Sequence, residues 1–243
     1  MVHVCLRPDR VYFPPVERAT DDGLLMVGGG LTPQWLQAAY TQGIFPWPVG
    51  TDIGTVLAWF SPDPRAILEL GSLHISRRLA RRIRTGKYDV TLNTCFADVI
   101  AECAAPREAA NEEPDEEDEA CDEQDDELSG TWITPELAEA YIELHRRGVA
   151  HSVEVWDRDA LVGGLYGVAY GGFFSGESMF HRVRDASKIA LAFLVSRLRE
   201  RGFCLFDIQQ FTPHMASLGA IEISRSEYLR RLKRALEIQA SLT

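Results

Sequence analysis

The chain has no apolar run near the roughly 18 residues that a membrane helix needs, and its opening stretch, MVHVCLRPDR, is no secretory signal. A soluble, cytoplasmic protein without a membrane partner is expected. Cysteine is scarce and poorly placed: Cys5, Cys95, Cys103, Cys121 and Cys204 are odd in number and form no Cys-x-x-Cys pair. That spacing argues against a disulfide framework and against a zinc site, and leaves the thiols, Cys121 apart, as buried small hydrophobes. His74, His145, His151, His181 and His214 also lack metal-ligand spacing, so no metal site is expected. Basic charge is missing altogether from one stretch. Between Glu108 and Glu127 stand 13 acidic residues and no Lys or Arg, and this stretch dominates the formal net charge of −11. The rest carries 23 acidic and 25 basic residues, a balance of +2, so a nucleic-acid partner stays open.

What is present is enough apolar material, 46% of 243 residues, for one large domain or two small ones. The acidic stretch has almost no large apolar side chains and cannot repay the entropy of ordering; residues 108–129 read as a disordered insertion. Residues 1–70, rich in Pro, Gly and aromatics, read as a small N-terminal domain. It holds a helix from Thr32 or Pro33 to Gln42, closed by Gly43. Residues 71–243 read as a second domain. Ser76 starts a helix, and residues 135–147 form another with Leu137, Tyr141 and Leu144 on one face. The period then changes to two: strands are predicted over 151–156, 161–170 and 173–180, an antiparallel meander. Ser187 should cap a helix to 201, with a strand over 203–209 and a last helix over 226–240. A strand, helix and strand in this order usually make a right-handed parallel crossover. The fold class is α+β, a small α/β domain followed by an acetyltransferase-like (GNAT-type) mixed sheet backed by helices.

The strand over 203–209 ends in Asp207 and Gln209. Alternation puts both on one face, close enough for the carboxylate to hold the amide, and a polar pair at the end of an apolar strand is a plausible place for chemistry.

Eight short segments stand in a fixed order. They are Gly43-Ile44-Phe45-Pro46-Trp47, Trp59-Phe60-Ser61-Pro62-Asp63-Pro64-Arg65, Leu73-His74-Ile75-Ser76, Thr131-Trp132-Ile133-Thr134, Gly163-Gly164-Leu165-Tyr166-Gly167, Gly176-Glu177-Ser178-Met179-Phe180, Ala186-Ser187-Lys188 and Ala216-Ser217-Leu218-Gly219. Together they resemble the bacterial leucyl/phenylalanyl-tRNA–protein transferase family, from about Gly23 to Tyr228, with the acidic insertion as a departure. The resemblance implies transfer of Leu or Phe, and Met weakly, from aminoacyl-tRNA to proteins with N-terminal Arg or Lys, which creates a degradation signal. It also implies an acetyltransferase-like C-terminal domain.

An aminoacyl ester is already activated, so the implied chemistry is expected to need no cofactor and no metal, only a side-chain pocket, a grip on the terminal adenosine and a neutral amine aimed at the carbonyl. By the resemblance Asp207 orients Gln209, and Gln209 lies near the attacking amine. Glu177, among apolar neighbours, is a place to hold an amino group. Trp47, Trp132 and Tyr141 match positions around the 3′ adenosine, where stacking is worth about 1–3 kcal/mol per base. Leu165, Leu191 and Leu194, with Phe173, match the pocket wall. Arg77, Arg78, Arg81, Arg82 and Arg84 crowd one helix with like charges, which a tRNA phosphate backbone would compensate. A monomer is expected. Gly30, Phe60 and Phe211-Thr212-Pro213 depart from the family pattern, the last beside the proposed site.

Three alternatives compete. A coenzyme A-dependent N-acyltransferase on the same fold would need a glycine-rich loop before the helix, but HRVRDA precedes Ser187. A non-catalytic RNA-binding module would use the aromatics and arginines and leave GESMF and DIQQ without a purpose. A sister transferase adding Leu to acidic N-termini fits the eight segments less well.

Overall fold

The computed structural model describes residues 3–5, 7, 9–52, 54–106 and 132–243, so the acidic insertion lies outside the described residues. The N-terminal part holds β1 (His3–Cys5), β2 (Leu24–Gly28), α1 (Pro33–Tyr40), β3 (Phe45–Pro46), a hairpin of β4 (Val49–Thr51) and β5 (Gly54–Val56), and β6 (Ala58–Phe60). Four of these strands form a sheet in the order β1-β2-β6-β3. Thr32 caps α1 by accepting from the Trp35 N–H, and Pro33 opens its first turn. The packing is aromatic: the Phe13 ring meets Trp35 at 5.2 Å and Trp59 at 4.9 Å, edge-on in both cases. Gly43, at φ +75, turns the chain after α1 where a Cβ would lie 2.9 Å from the Tyr228 ring.

The larger part continues with β7 (Arg65–Leu68), α2 (Arg77–Arg84), β8 (Asp89–Leu92), α3 (Phe96–Ala104), α4 (Pro135–Arg146), β9 (Ala150–Asp157), β10 (Ala160–Tyr170), β11 (Phe173–His181), α5 (Ala186–Glu200), β12 (Leu205–Gln209), α6 (Pro213–Ser217), β13 (Ala220–Ile223) and α7 (Arg225–Leu236). Seven strands form a mixed sheet in the order β13-β7-β12-β11-β10-β9-β8. β9, β10 and β11 are the expected meander, and β11 pairs in parallel with β12, bridged by α5 as a strand-helix-strand unit requires. β7 comes from residues before position 70, yet it pairs with β12 and β13 in this sheet.

The sheet separates two cores. Tyr166, Phe173, Leu205 and Ile67 face one, packed by α1, α3, α4 and α7; Leu165, Phe174, Phe206 and Leu68 face the other, packed by α5. Each pair is consecutive in sequence, so strict alternation buries both faces, and the strands read as near-continuous apolar runs. α5 differs from expectation at its start. Asp185, not Ser187, stands at the N-cap in a left-handed conformation, and its carboxylate pairs with Arg82 of α2 instead of capping its own helix. α7 stops at Leu236, short of 240, and the chain end turns back so that Leu242 is buried in the second core. Cys204, expected to be buried, is exposed.

Candidate active site

Glu177 and Gln209 sit on neighbouring strands, and both lie where the sheet ladder is interrupted. Along β10 and β11 the partners run Tyr166 with Ser178 and then Gly167 with Gly176, which leaves Glu177 as the extra residue of a bulge. Gly167 makes room for it, since a Cβ there would stand 2.2 Å from the Ser175 carbonyl oxygen. Between β12 and β7 the partners run Asp207 with Ile67 and then Gln209 with Ala66, so Ile208 is extra in a second bulge. Bulges re-aim the side chains beside them.

The result is a continuous hydrogen-bonded chain. The Gln209 side-chain amide donates to Ser175 Oγ at 2.7 Å and to Glu177 Oε1 at 3.2 Å. Ser175 Oγ donates to Glu177 Oε1 at 2.9 Å, and the Tyr141 hydroxyl donates to Glu177 Oε2 at 2.8 Å. Behind Tyr141, the Tyr40 hydroxyl lies 2.5 Å from the Tyr141 hydroxyl. Burial pushes the Glu177 carboxyl up to about 7, against the hydrogen bonds from Tyr141, Ser175 and Tyr40, which favour the anion, while the Asp207 charge adds to the rise. Burial, then the Glu177 charge, raises both Tyr40 and Tyr141 well above the ordinary phenol, so these hydroxyls stay protonated and act as donors.

Asp207 is held differently from expectation. Its carboxylate does not bind the Gln209 side chain; Oδ1 accepts from the Gln209 main-chain N–H at 2.9 Å. The rest of the carboxylate belongs to Arg65, whose Nε reaches Oδ1 at 2.9 Å and whose Nη2 reaches Oδ2 at 2.7 Å, and to the Tyr228 hydroxyl at 2.7 Å. Alternation fails here because of the bulge and because Gln209 adopts a φ of +60. Burial works against the Arg65 charge, but Asp207, Tyr228 and Glu177 together outweigh it and the guanidinium is held above its ordinary pKa.

The other expected residues divide. Trp47 and Trp132 are half-buried and stack on one another, ring centres 4.6 Å apart and planes 11° apart. Tyr141, grouped with them in sequence, is fully buried with its hydroxyl on Glu177, so its ring is no open platform for a base. Leu165, Leu191 and Leu194 share the core beneath α5, whereas Phe173 faces the opposite core. Phe174 is the residue of that pair beside the leucines, as a one-residue change of parity dictates. Of the arginines on α2, Arg77, Arg81 and Arg84 are exposed and Arg78 is half-buried. Arg82 is committed elsewhere: its Nη1 donates to the Arg184 carbonyl and to Asp185, both at 2.7 Å, pinning α2 to the start of α5.

Sequence reasoning gave no role to Arg65, Tyr228, Ser175 or Tyr40. Arg65 carried the one signal that was available, a charged residue opening an otherwise apolar strand. Among the described residues no helix is long and apolar enough to cross a membrane, and no group of three or more His, Cys, Asp or Glu could hold a metal ion.

Two family models match this chain. One, described as leucyl/phenylalanyl-tRNA protein transferase N-terminal domain, covers residues 29–63; the other, leucyl/phenylalanyl-tRNA protein transferase, covers residues 67–115 and 115–233. The leucyl/phenylalanyl-tRNA–protein transferase of Alkalilimnicola ehrlichii is 51% identical over 227 residues, 92% of this chain and 80% of that protein. Its namesake from Azoarcus sp. is 49% identical over 93% of this chain and 88% of its own length. That of Pseudomonas putida is 47% identical over 96% of this chain and 94% of its own.

Proposed function

The chain belongs to the leucyl/phenylalanyl-tRNA–protein transferase family of aminoacyltransferases, and we propose that it moves Leu or Phe, and Met weakly, onto the N-terminal Arg or Lys of acceptor proteins. The product is a new peptide bond and a signal for degradation. The observation that supports this reading most is the chain from Gln209 through Ser175 and Glu177 to Tyr141.

With its nitrogen pinned by Ser175 and Glu177, Gln209 presents its remaining amide atom, the carbonyl oxygen, as an acceptor for an N–H of the incoming amine. An amide is a poor base, so Gln209 aims the amine and stabilises its developing positive charge. The amine nitrogen bonds to the ester carbonyl carbon, the carbon–oxygen bond to the tRNA ribose breaks, and the amine proton passes to the departing ribose oxygen. Glu177, whose carboxyl stands at about 7, supplies negative charge beside an amino group near neutrality. In this reading Trp47 and Trp132 take the terminal adenine, and Leu165, Leu191 and Leu194, with Phe174, wall the side-chain pocket. Arg77, Arg81 and Arg84 meet tRNA phosphates. The larger unit is read as acetyltransferase-like (GNAT-type), with residues 1–70 as the smaller one, and the protein as a cytoplasmic monomer.

The donor series tests it. Leucyl- and phenylalanyl-tRNA should label an Arg-terminal protein, and isoleucyl-tRNA should do so poorly. Equal labelling from all three would rule out the pocket assignment.

A further inference from the structure

Building on the reading of Gln209 as the group that meets the acceptor amine, we propose that Arg65 and Tyr228 are positioning residues for the transfer. They hold Asp207 as a fixed template for the turn at Gln209, and Asp207 takes no substrate proton.

The first support is saturation. Asp207 is completely buried, and its two oxygens receive four hydrogen bonds, Oδ1 from Arg65 Nε and the Gln209 N–H, Oδ2 from Arg65 Nη2 and the Tyr228 hydroxyl. Nothing of the carboxylate is left for an amine, and the two-point pairing with the guanidinium fork fixes its orientation. Its remaining effect on the reaction is geometric.

The second support is the turn itself. The Gln210 N–H bonds the Ile208 carbonyl at 2.7 Å, closing a three-residue turn with Gln209 at its centre and φ at +60. Turns of this kind are rare and strained, and a non-glycine residue stays in the left-handed region only where its surroundings over-determine it. The over-determining contact is Asp207 Oδ1 on the Gln209 N–H. That contact in turn depends on where Arg65 and Tyr228 hold the carboxylate.

The third support is that the clamp is itself fixed. Arg65 is 1% exposed, its Nη1 donates to the Gly43 carbonyl at 3.2 Å, and its guanidinium lies 4.8 Å from the Phe45 ring centre and 4.6 Å from that of Tyr228. A buried ion pair is a weak device for stability and a good one for fixing geometry. Here it ties the turn after α1 to Asp207, two residues before the end of β12.

The test is a set of single-turnover rates for Tyr228→Phe, Arg65→Lys, Gln209→Ala and the two doubles with Gln209→Ala, with folding checked by near-ultraviolet circular dichroism. Tyr228→Phe removes one oxygen, so it carries the test where Arg65→Lys does not fold. We expect the transfer rate to fall about tenfold for Tyr228→Phe and about 100-fold for Arg65→Lys, with affinity for charged tRNA unchanged within about twofold. In the Gln209→Ala background neither substitution should cause a further loss, because both act through that side chain. Additive losses in the doubles, or full rates in the folded single variants, overturn the proposal. A full rate for Gln209→Ala overturns the reading of Gln209 itself, and the proposal with it.

Discussion

Gln209 donates its side-chain amide to Glu177 across the parallel pair of strands β11 and β12, and each of the two residues sits at a β-bulge. Two interruptions of one sheet therefore converge on one polar chain.

The titration of Glu177 gives a signed prediction. Its carboxyl is raised in the folded state to about 7 from the ordinary 4.5, so the native protein holds that proton more tightly than the unfolded chain does. The neutral form costs nothing below the unfolded value, and stability is lost as pH rises through the folded one. Between pH 5 and 8 the thermal midpoint should therefore fall more for the native chain than for Glu177→Gln. The transfer rate should rise over the same interval, and Glu177→Gln should leave only the rise due to the acceptor amine, near 7.7 to 8. Parallel profiles for both proteins would remove Glu177 from the pH response.

Asp207→Ala leaves the Arg65 guanidinium buried without its anion, a loss of about 3–5 kcal/mol for breaking such a pair. Urea unfolding should show it, and transfer should fall strongly at temperatures where the variant stays folded, with tRNA affinity within a few fold. Arg65→Met combined with Asp207→Leu should recover most of the stability and none of the rate. Equal loss of binding and transfer in Asp207→Ala would count against a role in the chemical step.

Trp132→Ala should weaken binding of charged tRNA by about 1–3 kcal/mol, the worth of one base stack, and Trp47→Ala similarly. Because the two indoles stack on each other, binding of a CCA-ended oligonucleotide should change the intrinsic fluorescence. A Trp132→Ala variant that binds charged tRNA as tightly as the native protein would exclude adenine contact there.

Arg77→Ala, Arg81→Ala and Arg84→Ala should each lessen the salt dependence of tRNA binding by about 0.7–0.9 in slope, without altering the thermal midpoint. Arg82→Ala should do the reverse, because its charge is tied to Asp185. Binding titrations at several salt concentrations separate the two kinds of arginine.

Deleting 108–127 should preserve folding and transfer, and should raise RNA affinity slightly at low salt by removing 13 negative charges. A collapse of the thermal midpoint would show that the segment belongs to the fold.

Much of the larger sheet was legible because its signals are local. The breaks at Asp157-Arg158-Asp159 and Gly171-Gly172 announce the meander, and Thr32 and Ser76 announce their helices by capping them. The place of β7 was not legible, since four residues gain their partners from segments about 140 and 155 positions away. At the site, the contacts that Asp207, Gln209 and Glu177 make in the structure were not legible. Alternation is the rule that sequence reading relies on, and the two bulges suspend it at Glu177 and Gln209. Phe174, not the expected Phe173, shares the leucine core, and no sequence signal fixes which face is which.

The most direct measurement is transfer of labelled leucine from leucyl-tRNA to a model protein with N-terminal Arg, beside a Met-terminal control and an RNase-treated control. Label on the Arg-terminal protein alone, lost with RNase, is the predicted result. No label, from a folded protein that still binds the charged tRNA, would contradict the transfer itself and leave a site that only holds RNA.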